Sequence, residues 1–155
     1  MKQSRPYPFV QVSKKAALSV ERGHPWVYDT EILAAEGCAD GELADVFTGQ
    51  RTYLGTGFYN SRSKIRVRII SRNANDRFDE AFWERRLRHA WEYRKTVMRD
   101  DISCCRLIFG EADSFPGLTV DRFSNLLAAQ TLCLGIEKRK ELLFPLLCKI
   151  LEEDG

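Results

Sequence analysis

ELADVFTGQRTYLGTGFYNSRSKIRVRIIS, residues 42–71, holds three strand-length runs separated by two turn-forming clusters. Glu42–Phe47, Thr52–Tyr59 and Lys64–Ser71 are rich in Val, Ile, Thr, Tyr and Phe, the residues that suit a pleated, half-buried surface. Gly49-Gln50 and the polar cluster Asn60–Ser63 supply the turns, so the stretch reads as an antiparallel β-meander. In the third run Lys64, Arg66 and Arg68 alternate with Ile65, Val67 and Ile69. Side chains two apart on a strand share a face, so one face is apolar and the other is a row of three cations. Gly55-Thr56-Gly57 lies inside the middle run, away from the strand-to-helix junction that a dinucleotide fingerprint requires, and reads as a bulge or close-packing position.

Upstream, Phe9–Val12 is a strand, and Lys14–Arg22 forms one or two helical turns closed by Gly23. His24-Pro25 then forces an extended exit into Trp26, Val27 and Tyr28, a group expected to fill a core. Downstream, the polar residues 73–77 mark a boundary between domains at 1–75 and 76–155. Asp79 is placed to cap a helix to Met98 whose apolar residues recur near helical spacing, with Arg85, Arg86, Arg88, Arg94 and Lys95 on a solvated face. Strands at Leu107–Phe109, Leu118–Phe123 and Leu126–Leu132 follow, turning at Phe115-Pro116-Gly117 and Ser124-Asn125. A last helix, Glu137–Glu152, contains Pro145, which should kink it or cost about 3 kcal/mol. The fold class is α+β.

Of 155 residues, 44% are apolar and 30% charged, which excludes disorder and low-complexity scaffolds. The net charge is only +2, but residues 1–75 carry eleven basic against seven acidic side chains and residues 76–155 thirteen against fifteen. An anionic partner should therefore prefer the first half. Five cysteines without CxxC spacing, and two histidines, suit neither a disulfide framework nor a metal site. With no apolar leader or membrane span, these features point to a cytoplasmic protein with reduced thiols and no membrane partner. Hydrolase, metalloprotease and phosphate-loop signatures are missing. Glu111, Asp113 and Asp121 flank the Pro-Gly turn and read as turn stabilisers or ion-pair partners, Asp121 with Arg122 or Arg106. The residues assigned to binding are the cationic row Lys64, Arg66 and Arg68, joined by Lys14, Lys15 and Arg22 for phosphates. Tyr59, and Tyr28 where exposed, would stack on unpaired bases.

GHPWVY (23–28), GTGFYNSRSKIRVR (55–68) and FGEADSFPGLTVDRF (109–123) together resemble the N-terminal portion of bacterial class I S-adenosylmethionine-dependent methyltransferases that make 5-methylcytosine in 23S rRNA. The resemblance implies a PUA-like RNA-binding β-barrel, then a truncated strand-strand-helix-strand-strand domain, with the Rossmann-like methyltransferase domain absent. This sequence departs from the family at Gly23 (usually Arg), Ser61 (usually Pro) and Ser114 (usually Gly). The resemblance further implies an N-terminal fragment that positions 23S rRNA and is itself inactive, with S-adenosylmethionine used by the full-length parent and no catalytic or cofactor residue in these 155. A second domain cut short would leave a sheet edge open to self-association. The competing expectations are a stand-alone PUA-type RNA-binding or regulatory protein without enzymatic activity, and a module that binds a protein partner.

Overall fold

The computed structural model describes residues 5–155. They divide into two compact units, one ending at Ala74 and the other beginning at Asn75.

The first unit contains β1 (Phe9–Val12), α1 (Lys14–Glu21), β2 (Trp26–Tyr28), β3 (Ile32–Glu36), β4 (Leu43–Phe47), β5 (Tyr53–Tyr59) and β6 (Ile65–Ser71). The strands form one sheet in the order β2-β6-β5-β4-β1-β3. The β4-β5-β6 meander is its centre, and β1 lies parallel to β4. β2 and β3 stand at opposite ends of this order, yet only residues 29–31 connect them. Six flat strands would hold the outer two about 24 Å apart. A link of this length reaches only about 14 Å. The sheet must therefore curl until its ends approach, giving a barrel-like shape around Val10, Val12, Val27, Val46, Val67 and Ile69.

Helix α1 begins where the Ser13 hydroxyl accepts from the Ala16 amide at 3.2 Å, and it buries Ala16, Ala17 and Val20. The β5–β6 register slips between Thr56 and Gly57, where a Cβ on Gly57 would fall on the Arg68 carbonyl. One on Gly55 would sit 2.9 Å from the Ser71 carbonyl, so both glycines serve close backbone packing. Below them lies a polar network that the strand pattern did not reveal. Asp45, 1% exposed, accepts from Arg5 Nε at 2.6 Å, Arg5 Nη2 at 3.0 Å and the Thr56 hydroxyl at 2.6 Å. The Tyr53 hydroxyl closes the network 2.7 Å from Thr56 Oγ1, and the Arg5 guanidinium lies 4.9 Å over the Tyr53 ring.

The second unit contains α2 (Glu80–Met98), β7 (Cys104–Phe109), β8 (Leu118–Phe123), β9 (Leu126–Thr131), α3 (Leu134–Glu137) and α4 (Lys140–Glu153). The Asp79 carboxylate accepts from the Phe82 amide at 2.9 Å and starts α2. β7-β8-β9 form an antiparallel sheet, and Trp83 of α2 meets Phe115 with ring centroids 6.0 Å apart. Leu143, Leu146, Leu147 and Ile150 give α4 a buried stripe at helical spacing. Pro145 lies on the exposed side of α4, which continues through it at the loss of one backbone bond. The expected single helix from Glu137 is instead two, because Glu137 bonds the Thr131 hydroxyl of β9 and the chain restarts at Lys140.

The expected solvated face of α2 is also corrected at Arg94, which is only 8% exposed. Its Nε donates to the Arg106 carbonyl at 2.6 Å and its Nη2 to Asp113 at 2.5 Å. Asp121 pairs with Arg106 in a two-point bridge at 2.8 and 3.1 Å.

Candidate nucleic-acid interface

Three of the sequence-predicted cations come together on α1. Lys14 and Lys15 occupy its first turn, which holds no acidic residue, so their charges add to the positive end of the helix dipole. Arg22 caps the other end. Together with Leu18, Ser19 and His24 these side chains line a shallow depression of about 790 Å³ on the first unit. Lys14, Lys15 and Arg22 are all exposed, so an anion reaches them without displacing packed protein.

The chain leaves α1 through Gly23, whose φ of +102° is open to glycine and strained for the arginine that the resembled family usually has. His24 then joins the depression to a group of rings. Its Nδ1 accepts from the Trp26 amide at 3.1 Å, and its ring centroid lies 6.0 Å from that of Trp26 and 6.2 Å from that of Tyr28. Trp26 and Tyr28 meet edge-to-face at 6.4 Å. β2 pairs with β6 so that Trp26 opposes Arg68, and the Arg68 guanidinium lies 5.3 Å from the Trp26 ring centroid. Only Val27, between them, enters the core. The expected aromatic core group is thus split: Val27 is buried, Trp26 half-buried and Tyr28 exposed. Alternation from 24 to 28 on a short strand was the available signal.

The rest of the predicted row is arranged differently. Lys64 is exposed just before β6, where its carbonyl accepts from the Asp29 amide at 2.8 Å. Arg66 is half-buried, folds back so that Nη1 bonds the Ser61 carbonyl, and leaves its buried Nε without a hydrogen-bond partner. Tyr59 does not stand clear for stacking: it is half-buried against the core. The row therefore separates into Arg68, over the Trp26 ring, and Lys64 and Arg66, which flank Ile65 opposite Tyr28. Ser61 donates through its amide at 2.7 Å and its hydroxyl at 2.9 Å to Asp40, holding that carboxyl below the usual range. The proline usual in the resembled family would lack that amide donor.

Residues 10–72 match the model of a family described as a PUA-like domain. That segment resembles the PUA-like family. The chain as a whole is similar to the N-terminal region of ribosomal RNA large subunit methyltransferase I. The Klebsiella pneumoniae protein is 37% identical over 136 residues, 86% of this chain and 34% of its own length, and the Salmonella typhi protein has the same identity and coverage. The chain thus spans about a third of the length of the curated relatives it matches. A candidate SAM-dependent methyltransferase from Streptococcus mutans shares the fold over 93% of this chain and 38% of its own, with a TM-score of 0.80 and 14% identity. A candidate methyltransferase structure complexed with SAH superposes equally, also at 14% identity.

The described residues offer no cradle of the kind that holds S-adenosylmethionine. The GxG at Gly55–Gly57 is packed against β6 in mid-strand rather than at a strand-to-helix turn, and neither sheet is the mostly parallel one of a dinucleotide-type fold. No cluster able to hold a metal ion occurs among the described residues, nor any helix long and apolar enough to cross a membrane.

Proposed function

We propose that this chain is the RNA-recognition portion of a SAM-dependent methyltransferase that modifies cytosine C5 in large-subunit rRNA. It positions 23S rRNA in the cytoplasm and is inactive alone. The supporting observation is the convergence of Lys14, Lys15, Arg22 and His24 on one depression beside the Trp26–Tyr28 rings. Phosphates find exposed cations there, and an unpaired base finds an aromatic face next to an arginine. The PUA-like unit takes the recognition role and the second unit, beginning at Asn75, forms part of the central domain of such enzymes. The test is fluorescence anisotropy with a short single-stranded RNA across a salt series. The triple variant Lys14→Glu, Lys15→Glu, Arg22→Glu should bind more weakly and lower the log–log salt slope by about 2, three phosphates at roughly 0.7 each. Equal affinity and slope would remove this surface from RNA binding.

A further inference from the structure

The second unit has its own cleft of about 680 Å³, between one face of α2 and the connection from β7 to β8. We propose that it is a second RNA-contact site that takes one unpaired nucleotide, its phosphate on Arg85 and Arg86 and its base against Phe109 or Tyr93. This rests on the reading of the chain as an RNA binder and extends it to a surface outside the PUA-like domain.

The cleft has a built floor. Buried Arg94 holds Asp113 at 2.5 Å, and the same carboxylate oxygen accepts from the Phe109 amide at 2.7 Å. Arg86 Nη1 donates to the Ser114 carbonyl at 3.0 Å, tying α2 to the loop. That loop turns through positive φ at Gly110, Ser114 and Gly117. The two glycines take positive φ without strain, and only Ser114 is held there by its surroundings.

Its chemistry suits a nucleotide. Arg86 is half-buried and stacked 4.5 Å over Phe82, and burial pushes its pKa down to about 10. It remains a cation at neutral pH and, held in place by the Ser114 carbonyl, presents a fixed charge to an arriving phosphate. Arg85 is exposed beside it. Three arginines against Asp76 and Asp113 leave the lining one charge positive, and Asp113 is engaged by Arg94. Phe109 and Tyr93 line the same cleft while 55% and 53% exposed. Aromatic faces beside guanidinium groups are the usual surface for splayed bases.

The experiment compares four proteins for a fluorescein-labelled single-stranded RNA: the unaltered chain, Phe109→Ala, Arg85→Glu, and the Lys14/Lys15/Arg22 triple variant. Both positions are exposed, so folding is retained and is checked by thermal melting. Phe109→Ala should weaken binding about five-fold or more at an unchanged salt slope, through lost stacking. Arg85→Glu should weaken it and lower the slope. If both variants bind like the parent while the Lys14/Lys15/Arg22 variant does not, the second site is overturned and the first reading stands. If the unaltered chain binds no RNA, both fall. Displacement of RNA from the parent, but not from Arg85→Glu, by an acidic peptide as effectively as by RNA itself would overturn the nucleotide in favour of a protein ligand.

Discussion

Replacing Asp45 with alanine tests whether the buried network sets the stability of the first unit. The substitution removes the acceptor of two Arg5 hydrogen bonds and of the Thr56 hydroxyl. Breaking a buried ion pair from one side costs about 3–5 kcal/mol. The Arg5 side chain is 21% exposed and regains some water, and Thr56 keeps the Tyr53 hydroxyl at 2.7 Å, so the low end of that range applies. A loss of about 3 kcal/mol corresponds to roughly 150-fold faster exchange of the most protected amides. Hydrogen–deuterium exchange reads this in β4 and β5 separately from the second unit. Arg5→Met combined with Asp45→Leu should recover most of the loss, since an apolar pair leaves no buried charge unmatched. Exchange in Asp45→Ala less than about five-fold faster, under about 1 kcal/mol, would refute the reasoning.

Ser114 stands at a φ of +60° where glycine is usual in the resembled family, so Ser114→Gly should raise the stability of the second unit by up to about 1 kcal/mol; a lower denaturation midpoint would contradict this. Asp154 accepts from Lys95 at 2.7 Å and from the Trp91 indole at 2.6 Å, and these bonds hold its carboxyl below the usual range. A depressed folded-state pKa gives stability that is present above the ordinary value and lost as pH falls through the folded one. Below about pH 4 the parent should therefore lose stability more steeply than Asp154→Asn, and parallel acid titrations would dispose of this. Among the described residues β9 pairs only with β8, and Leu126 at its start is 63% exposed, so the chain should self-associate at high concentration and Leu126→Lys should reverse it. Sedimentation showing a monomer at every concentration would rule that out.

The meander, α1 and the start of α2 were legible because each carries a local signal: alternation, turn residues, or a capping Ser13 or Asp79. Ile32–Glu36 was not read as a strand, since two alanines blur its alternation. It forms β3 by pairing with β1, a contact with no local signature. The Arg5–Asp45 and Arg94–Asp113 pairs join residues 40 and 19 apart and are set by tertiary packing, which is why Arg94 read as a surface cation. At the candidate site, the cations of α1 were identified by composition. Which residues of β6 face outward depended on the bulge between Val27 and Tyr28 and on the fold-back of Arg66. The rings of β2 were assigned to the core because aromatic side chains usually go there, whereas the half-buried Trp26 and exposed Tyr28 lie against Arg68 and His24.

The most direct test of the proposed RNA recognition by the first unit is ultraviolet crosslinking of the chain to 23S rRNA transcripts, with the adducts located by mass spectrometry. Adducts on the peptide spanning residues 14–28, with Trp26, Tyr28 or Lys14 as the modified side chains, are the predicted result. Crosslinks confined to other surfaces of the first unit, or none at RNA concentrations that saturate binding, would contradict it.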